Sequence, residues 1–139
     1  MAKLGNKNKV YITSSLVTAL SEVTAADVLV GETSNTLTIN ANLIEVSDKT
    51  TEWGKNVPGI KGGTLSVTVN VEDGNTKQEA LIDAITAGSE INCFEGDLNS
   101  NGFAFKALVG SIAQTNDNGS VATWQLEITA NGEVKRIKI

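Results

Sequence analysis

Apolar and polar residues alternate along two stretches in the first half of the chain. In residues 64–71 (TLSVTVNV) every second residue is Leu or Val, and residues 36–43 (TLTINANL) repeat the pattern. Because successive side chains of a strand point to opposite faces, both stretches are predicted to be strands with one buried and one solvated face. The apolar positions change parity at Ile44 and Val46, so we expect a bulge or bend near Leu43.

The second half of the chain carries further strand patterns. Residues 121–130 alternate in the same way, and residues 102–113 and 91–95 are two more strand-like runs. An Asn-Gly pair follows at positions 131–132. This pair favours a type I′ hairpin turn, so residues 133–139 are predicted to return antiparallel beside the preceding strand.

One amphipathic helix interrupts the strands. Thr76 and Glu79 have the spacing of a capping box, apolar residues follow at positions 81, 82 and 85, and Gly88 supplies a C-terminal stop. The order of strands, one helix and further strands predicts a mainly β fold. We expect an antiparallel β-sandwich or open barrel with one flanking α-helix, and a single domain over residues 1–139.

A long polar segment at residues 47–63 lies between two of the predicted strands. It contains Trp53, Val57, Ile60 and the only proline of the chain, Pro58. A loop of this length exceeds ordinary connections, which indicates a function. One interpretation is a lid that folds back over the domain's own core. We favour the other, in which the apolar side chains dock into a neighbouring subunit.

Composition excludes several classes of function. The net charge of −5 opposes binding to nucleic-acid phosphates, and 19% charged residues is a low share. The chain has no histidine, which excludes histidine-dependent triads and imidazole metal sites. Its single cysteine, Cys93, lies in an apolar run and is predicted to be buried and inert. We therefore expect neither enzymatic activity nor a cofactor.

Two further expectations concern carboxylates and targeting. Glu90 with Glu95, or Asp48 with Glu52, are the carboxylate pairs that a hydrolase would need, but solvated surface charges are the favoured interpretation. Four hydroxyl residues interrupt residues 10–20, so we expect a strand and its following turn there and not an export signal. No stretch approaches the roughly 18 apolar residues of a membrane helix.

The order of these segments resembles the major tail tube proteins of long-tailed bacteriophages. The resemblance begins with GETSNTLTINANLIEVSDKT at residues 31–50 and continues through Glu52 and Trp53 to VPGIKG at residues 57–62 and the strand after it. It extends over the helix, the short strand with Phe94, a GFA strand from residue 102 and EITANGEV near the C-terminus. Each motif is short, and the specificity comes from their order over nearly the whole chain.

The resemblance implies a structural virion protein. Its subunits would assemble into hexameric rings with a continuous inner β-barrel, and the rings would stack into a hollow tail tube. Double-stranded DNA would pass through the tube without specific binding. The implied partners are other copies of the chain and the tail terminator, tip and tape-measure proteins, with no membrane. The implied location is the virion tail, after assembly in the cytoplasm of the host bacterium.

The resemblance also assigns roles to particular residues. The loop at residues 47–63 would reach neighbouring subunits, with Trp53, Val57, Pro58 and Ile60 in the contact. The polar faces of two predicted strands offer short, uncharged side chains for the tube lining, although either sheet of a sandwich can carry the lumen. These candidates are Thr36, Thr38, Asn40, Asn42, Thr64, Ser66, Thr68 and Asn70.

Two alternatives stay open beside a long, non-contractile tail tube. One is the inner tube of a contractile phage tail or injection device, which has the same architecture. The other is a monomeric β-sandwich that binds carbohydrate. That module would need an exposed aromatic platform, and among six aromatic residues only Trp53 offers one.

Overall fold

The computed structural model describes residues 7–46, 50 and 53–138. These residues form seven strands, one α-helix and two short 3-10 turns at Leu20–Glu22 and Ala25–Asp27. The strands are β1 (Lys9–Thr13), β2 (Glu32–Glu45), β3 (Asn56–Asn70), β4 (Ile91–Gly96), β5 (Gly102–Thr115), β6 (Thr123–Ala130) and β7 (Lys135–Ile137), and helix α1 spans Thr76–Ala87.

All strands belong to one antiparallel sheet in the order β1-β4-β5-β6-β3-β2, and β7 pairs with β5. The sheet is not closed, but its two ends approach each other. The backbone N–H of Leu29, just before β2, donates to the carbonyl of Val10 in β1 at 2.8 Å. The predicted mainly β fold with one flanking helix is confirmed.

The main core lies on one side of this sheet. Leu65, Val67 and Val69 of β3 are buried there, beside Leu126 and Ile128 of β6. Leu81 and Ala84 of α1 cover the same core. The predicted alternation of strands β3 and β6 is confirmed, because their intervening residues lie on the outer face.

A second cluster explains why β1 and β4 show no alternation. Tyr11 of β1, Phe94 of β4 and Ala104 of β5 face away from the main core and pack with Val17, Val23 and Ile137. The rings of Tyr11 and Phe94 are 5.8 Å apart between centroids. This half of the sheet is therefore buried on both faces.

The helix begins one residue differently from the prediction. Asn75 is the N-cap, because its side-chain oxygen accepts from the backbone N–H groups of Lys77 and Gln78, each at 3.1 Å. The capping box predicted at Thr76 is therefore wrong, since Thr76 is already inside the helix. The predicted stop is confirmed: Gly88 has φ of 70°, a left-handed conformation that favours glycine.

The predicted hairpin after β6 is also wrong. β7 pairs with β5 at residues 102–104, and the N–H of Asn131 donates to the carbonyl of Lys106 at 2.7 Å. The reason is that β6 already has β5 on one side and β3 on the other, so no edge remains for a returning strand. The chain instead continues along the part of β5 that lies beyond the end of β6.

Gln78 joins the helix to the sheet from a fully buried position. Its Nε2 donates to the carbonyls of Val30 at 2.8 Å and Asn70 at 2.9 Å. Its Oε1 accepts from the N–H of Glu72 at 2.9 Å. One amide thus satisfies three backbone groups near the start of β2 and the end of β3.

Replacing Gln78 by Ala is expected to destabilise the fold strongly. The backbone groups that it satisfies would lose their partners, and each unsatisfied buried group costs roughly 1–3 kcal/mol. We expect the free energy of unfolding to fall by about 3 kcal/mol in urea titrations. As a matched control, exposed Glu79→Ala on the same helix should change it by less than about 0.5 kcal/mol. Equal effects would contradict this role of Gln78.

Candidate assembly surfaces

Strands β2 and β3 extend beyond the rest of the sheet as a two-stranded arm. β6 pairs with β3 only from Thr64 to Asn70, whereas β3 continues to Asn56 with β2 as its partner. The N–H of Val46 donates to the carbonyl of Lys55 at 2.8 Å, which prolongs the ladder toward the tip. We call residues 39–46 and 53–63 the arm. The seven residue steps from 63 to 56 project roughly 24 Å from the sheet.

The arm corrects the predicted loop at residues 47–63. Val57, Pro58 and Ile60 lie in strand β3, because β2 continues far enough to pair with them. Residues 47–49, 51 and 52 lie outside the described part of the chain. The bulge expected near Leu43 is confirmed as a register shift between Ala41 and Leu43.

Gly59 is required by the close pairing at this bulge. A Cβ atom at Gly59 would lie 2.8 Å from the carbonyl oxygen of Asn42 and 3.2 Å from the side chain of Ile44. The glycines in this segment resemble a flexible loop in the sequence, but here one of them permits the two strands to approach.

Large apolar side chains are concentrated on the arm without cover. Trp53 is 84% exposed, Ile60 is 87% exposed and Val57 is 39% exposed. These values are incompatible with a lid folded over the chain's own core. Within the described residues, seven of the nine exposed large hydrophobic side chains lie on the arm, and the pattern missed four of them. Those four are Ile39, Leu43, Ile44 and Val46.

The eight polar candidates share one face of the sheet, opposite the main core. Cross-strand pairing aligns Thr36 with Ser66 and Thr38 with Thr64, and Asn42 lies farther out, in the arm. The sequence pattern did not identify the residues of β6 that belong to the same face, because the pairing of one strand with another depends on the topology of the whole sheet. Glu127 lies beside Ser66, whose Oγ donates to both carboxylate oxygens at 3.1 Å. We call this surface the polar face.

Of the strand edges that have no partner among the described strands, two flank the polar face. The outer edge of β2 is one, because β3 is its only paired neighbour. The other is the β4-facing side of residues 108–115 in β5, because β4 ends its pairing at Ala107. Through β6 and β3, Ser111 of β5 lies level with Thr36 of β2. The two edges therefore bound opposite sides of the polar face, at the same position along the strand direction.

No catalytic arrangement is found in the described part of the chain. Glu90 and Glu95 lie near opposite ends of β4, roughly 17 Å apart along the strand, so they do not form a carboxylate pair. Asp48 and Glu52 lie outside the described residues. No group of three metal-ligating side chains occurs in the described residues. Burial raises the pKa of the Cys93 thiol to about 12, as expected of an inert cysteine.

The carboxylate of Glu32 bridges the open seam between β1 and β2. One oxygen accepts from the backbone N–H of Val10 at 2.9 Å, and the other accepts from the side-chain amide of Asn35. Burial raises the pKa of Glu32 above its ordinary value of 4.5, although both hydrogen bonds and nearby Lys9 act in the opposite direction. Desolvation of the charged form therefore outweighs its partners.

The raised pKa of Glu32 predicts a pH dependence of stability. The contribution of Glu32 is fully present below the unfolded-state pKa near 4.5 and falls as pH rises through the higher folded-state pKa. Relative to Glu32→Gln, the wild type should thus lose unfolding free energy as pH rises above about 4.5. Urea titrations at several pH values measure this difference.

Glu22→Gln is the control of opposite sign. Hydrogen bonds from Thr18 lower the pKa of Glu22, so its contribution is lost as pH falls through its folded-state pKa. If the two substitutions shift the pH profile in the same direction, the interpretation of Glu32 is wrong.

Comparison with known proteins identifies the fold. No protein-family model and no curated protein matches the sequence. Solved structures do match over almost the entire chain, and the fold is that of tail tube proteins from phages and phage-like particles. At sequence identities of 13–15% this likeness establishes the fold alone.

Three structures from different particles illustrate the likeness. A chain in the tail of an empty gene transfer agent particle, refined with C6 symmetry, has a TM-score of 0.76 and 13% identity, covering 96% of this chain and 98% of that one. The SPP1 tail tube protein has a TM-score of 0.76 and 15% identity, covering 99% and 80%. A chain of the sheath-tube complex of an extracellular contractile injection system has a TM-score of 0.63 and 14% identity, covering 96% and 89%.

Membrane insertion through a helix finds no support in residues 7–46, 50 and 53–138. The helices there are too short or too polar to cross a bilayer.

Proposed function

We propose that this chain is the subunit of a tail tube, in which hexameric rings stack into a hollow cylinder. The shared fold carries the proposal, because one neighbour of high TM-score is a tail with C6 symmetry and another is a tail tube. The arm supports it independently. Its uncovered apolar side chains suit a protein that buries them only on assembly.

The two free edges support a continuous inner barrel. The β2 edge of one subunit and the β5 edge of the next would pair in antiparallel fashion, since β2 and β5 run in opposite directions. Both edges bound the polar face at the same level of the ladder, so their pairing would continue the sheet of one subunit into the next. Such closure removes the exposed backbone edges that otherwise favour aggregation.

The polar face is our candidate for the lumen. Thr36, Thr38, Thr64 and Ser66 offer short uncharged side chains, and Glu127 adds a carboxylate among them. With a net charge of −5 per chain, such a surface would repel the phosphates of passing double-stranded DNA and prevent adhesion. DNA transit thus requires no binding site.

This function implies particular partners and a location. Besides its own copies, the tube would contact tail terminator and tip proteins at its ends and a tape-measure protein inside during assembly. Particles of this fold include tubes with terminator caps and baseplates, which supports the expectation of end partners. We place the protein in the virion tail, assembled in the host cytoplasm, with no catalytic activity.

A contractile system is the second candidate. The fold likeness to the sheath-tube complex of a contractile injection system supports it, although at a lower TM-score than the two tail structures. A sheath gene beside this one would favour the contractile assignment.

Removing the apolar tip of the arm should stop assembly without unfolding the subunit. In Trp53→Ala with Ile60→Ala the lost side chains are almost wholly exposed, so the unfolding free energy should change by less than about 0.5 kcal/mol per site. Negative-stain electron microscopy should show rings and tubes with a central hole for the wild type and none for the variant.

Val121→Ala is the matched control, since it shortens an exposed apolar side chain away from the arm. It should assemble as the wild type does. Unfolding of the double variant would contradict an assembly role of the arm, and a wild type that stays monomeric under all conditions would overturn the proposed function.

Cysteine labelling tests whether the polar face lines the lumen. Thr36→Cys should react with a bulky maleimide-polyethylene glycol reagent in the monomer, but much more slowly in assembled tubes, because the lumen admits the reagent only through its ends. Thr86→Cys, on the exposed side of α1, should react equally in both states. Protection of position 86 with reaction at position 36 would assign the polar face to the outside.

A further inference from the structure

Three Asn-Gly pairs, at residues 101–102, 118–119 and 131–132, share one covalent reactivity. Asparagine is a thermolabile residue, and a following glycine leaves its own backbone nitrogen accessible because it has no side chain. In an unfolded chain the three pairs have the same chemistry. The fold places each pair in a different setting, and these settings decide which pair reacts.

The reaction is a deamidation that needs no enzyme and has water as its co-reactant. The backbone nitrogen of the glycine bonds to the γ-carbon of the asparagine, and the bond from that carbon to Nδ2 breaks. Nδ2 leaves as ammonia, with the proton that the glycine nitrogen gives up. Water then opens the cyclic imide at one of its two carbonyl carbons, which yields aspartate or isoaspartate and one added negative charge at neutral pH. Ring closure requires the side chain and the peptide bond to rotate toward each other.

The sheet protects the first pair. Gly102 is buried, and it pairs with Gly96 of β4 on one side and with Ile137 of β7 on the other. The carbonyl of Asn101 accepts a hydrogen bond from the backbone N–H of Asp97 at 3.2 Å. Rotation of this peptide bond would break the pairing of β5 with both neighbours. The reaction at this pair therefore requires local unfolding of the sheet.

A side-chain contact holds the third pair. Nδ2 of Asn131 donates to Oε1 of Glu90 at 2.6 Å, and the backbone N–H of Asn131 donates to the carbonyl of Lys106 at 2.7 Å. Gly132 is exposed, and a Cβ atom added to it would meet no atom within 4 Å. The backbone after Asn131 thus has room to rotate, but the amide must first leave Glu90. This contact slows the reaction without preventing it.

The second pair lies in the turn between β5 and β6, where no comparable contact holds it. Asn118 and Gly119 are both exposed, and the side chain of Asn118 makes no hydrogen bond within the described residues. The N–H of Ser120 closes the turn by donating to the carbonyl of Asp117 at 3.1 Å. Gly119 has φ of 83° and open space around it. The side chain and the peptide bond can therefore rotate without breaking any strand pairing.

We propose that Asn118 is a site of spontaneous deamidation in the folded protein, whereas the fold protects Asn101 strongly and Asn131 in part. The product places a second carboxylate beside Asp117, and isoaspartate also lengthens the backbone of the turn by one methylene group. This turn lies at the end of the sheet opposite the arm, because β6 begins beside the C-terminal end of β3. Ageing subunits would thus gain negative charge at that end. The inference is independent of the proposed tube.

Peptide mapping by mass spectrometry tests the ranking of the three sites. Freshly purified protein is incubated at mildly alkaline pH, folded in one sample and unfolded in guanidinium chloride in another, and fragment spectra locate the mass increase. In the folded sample we expect Asn118 to react at least about tenfold faster than Asn101, with Asn131 between them. In guanidinium chloride the three rates should agree within about threefold, because the protecting contacts are absent.

Glu90→Ala is the matched variant. It removes the acceptor of the Asn131 amide at an exposed position, so the rate at Asn131 should rise severalfold while the rate at Asn118 stays unchanged. An unchanged rate at Asn131 would overturn the protection assigned to that contact. Equal rates at Asn118 and Asn101 in the folded protein, or reaction at Asn118 only after unfolding, would overturn the proposal and leave the proposed function standing.

Discussion

Backbone N–H and C=O groups at the edge of a sheet need partners, and this requirement shapes most of the molecule. At the seam between β1 and β2 a carboxylate, Glu32, supplies part of what a missing strand would have supplied. Beyond β6 none of the described strands covers the β2–β3 ribbon as a third strand, and a two-stranded ribbon alone is marginally stable in water. The unpaired sides of β2 and β5 are long and carry charged side chains only at the two ends of β2, which is hazardous in a monomer and useful in an assembly.

Much of the fold follows from local patterns, whereas its pairing does not. Alternation identified β3 and β6, the glycine at position 88 identified the end of the helix, and the parity change identified the bulge near Leu43. The partner of β7 was not predictable locally, because the Asn-Gly signal is short-range and the occupied edges of β6 are a property of the whole sheet.

The arm shows where sequence patterns fail for a physical reason. Alternation arises when one face of a strand is buried in its own chain. Here both faces of the ribbon are largely open over residues 56–62, so this stretch carries no period and, with Gly63, contains Pro58 and three glycines. The same stretch therefore resembles a loop. The facing strand does carry a sequence signal for a contact surface. Exposed Leu43, Ile44 and Val46 include both odd and even positions, and apolar residues at both kinds of position indicate a strand whose two faces are both covered by a partner.

The three glycines of the arm also have a mechanical consequence. Gly59, Gly62 and Gly63 leave one strand of the ribbon without side chains at three of five successive positions, which lowers its resistance to bending and twisting. In a tube whose units are joined by such ribbons, curvature would be absorbed in the joints while each compact body keeps its shape. The flexural stiffness of the whole filament would then depend on residues that contribute no side-chain contact at all.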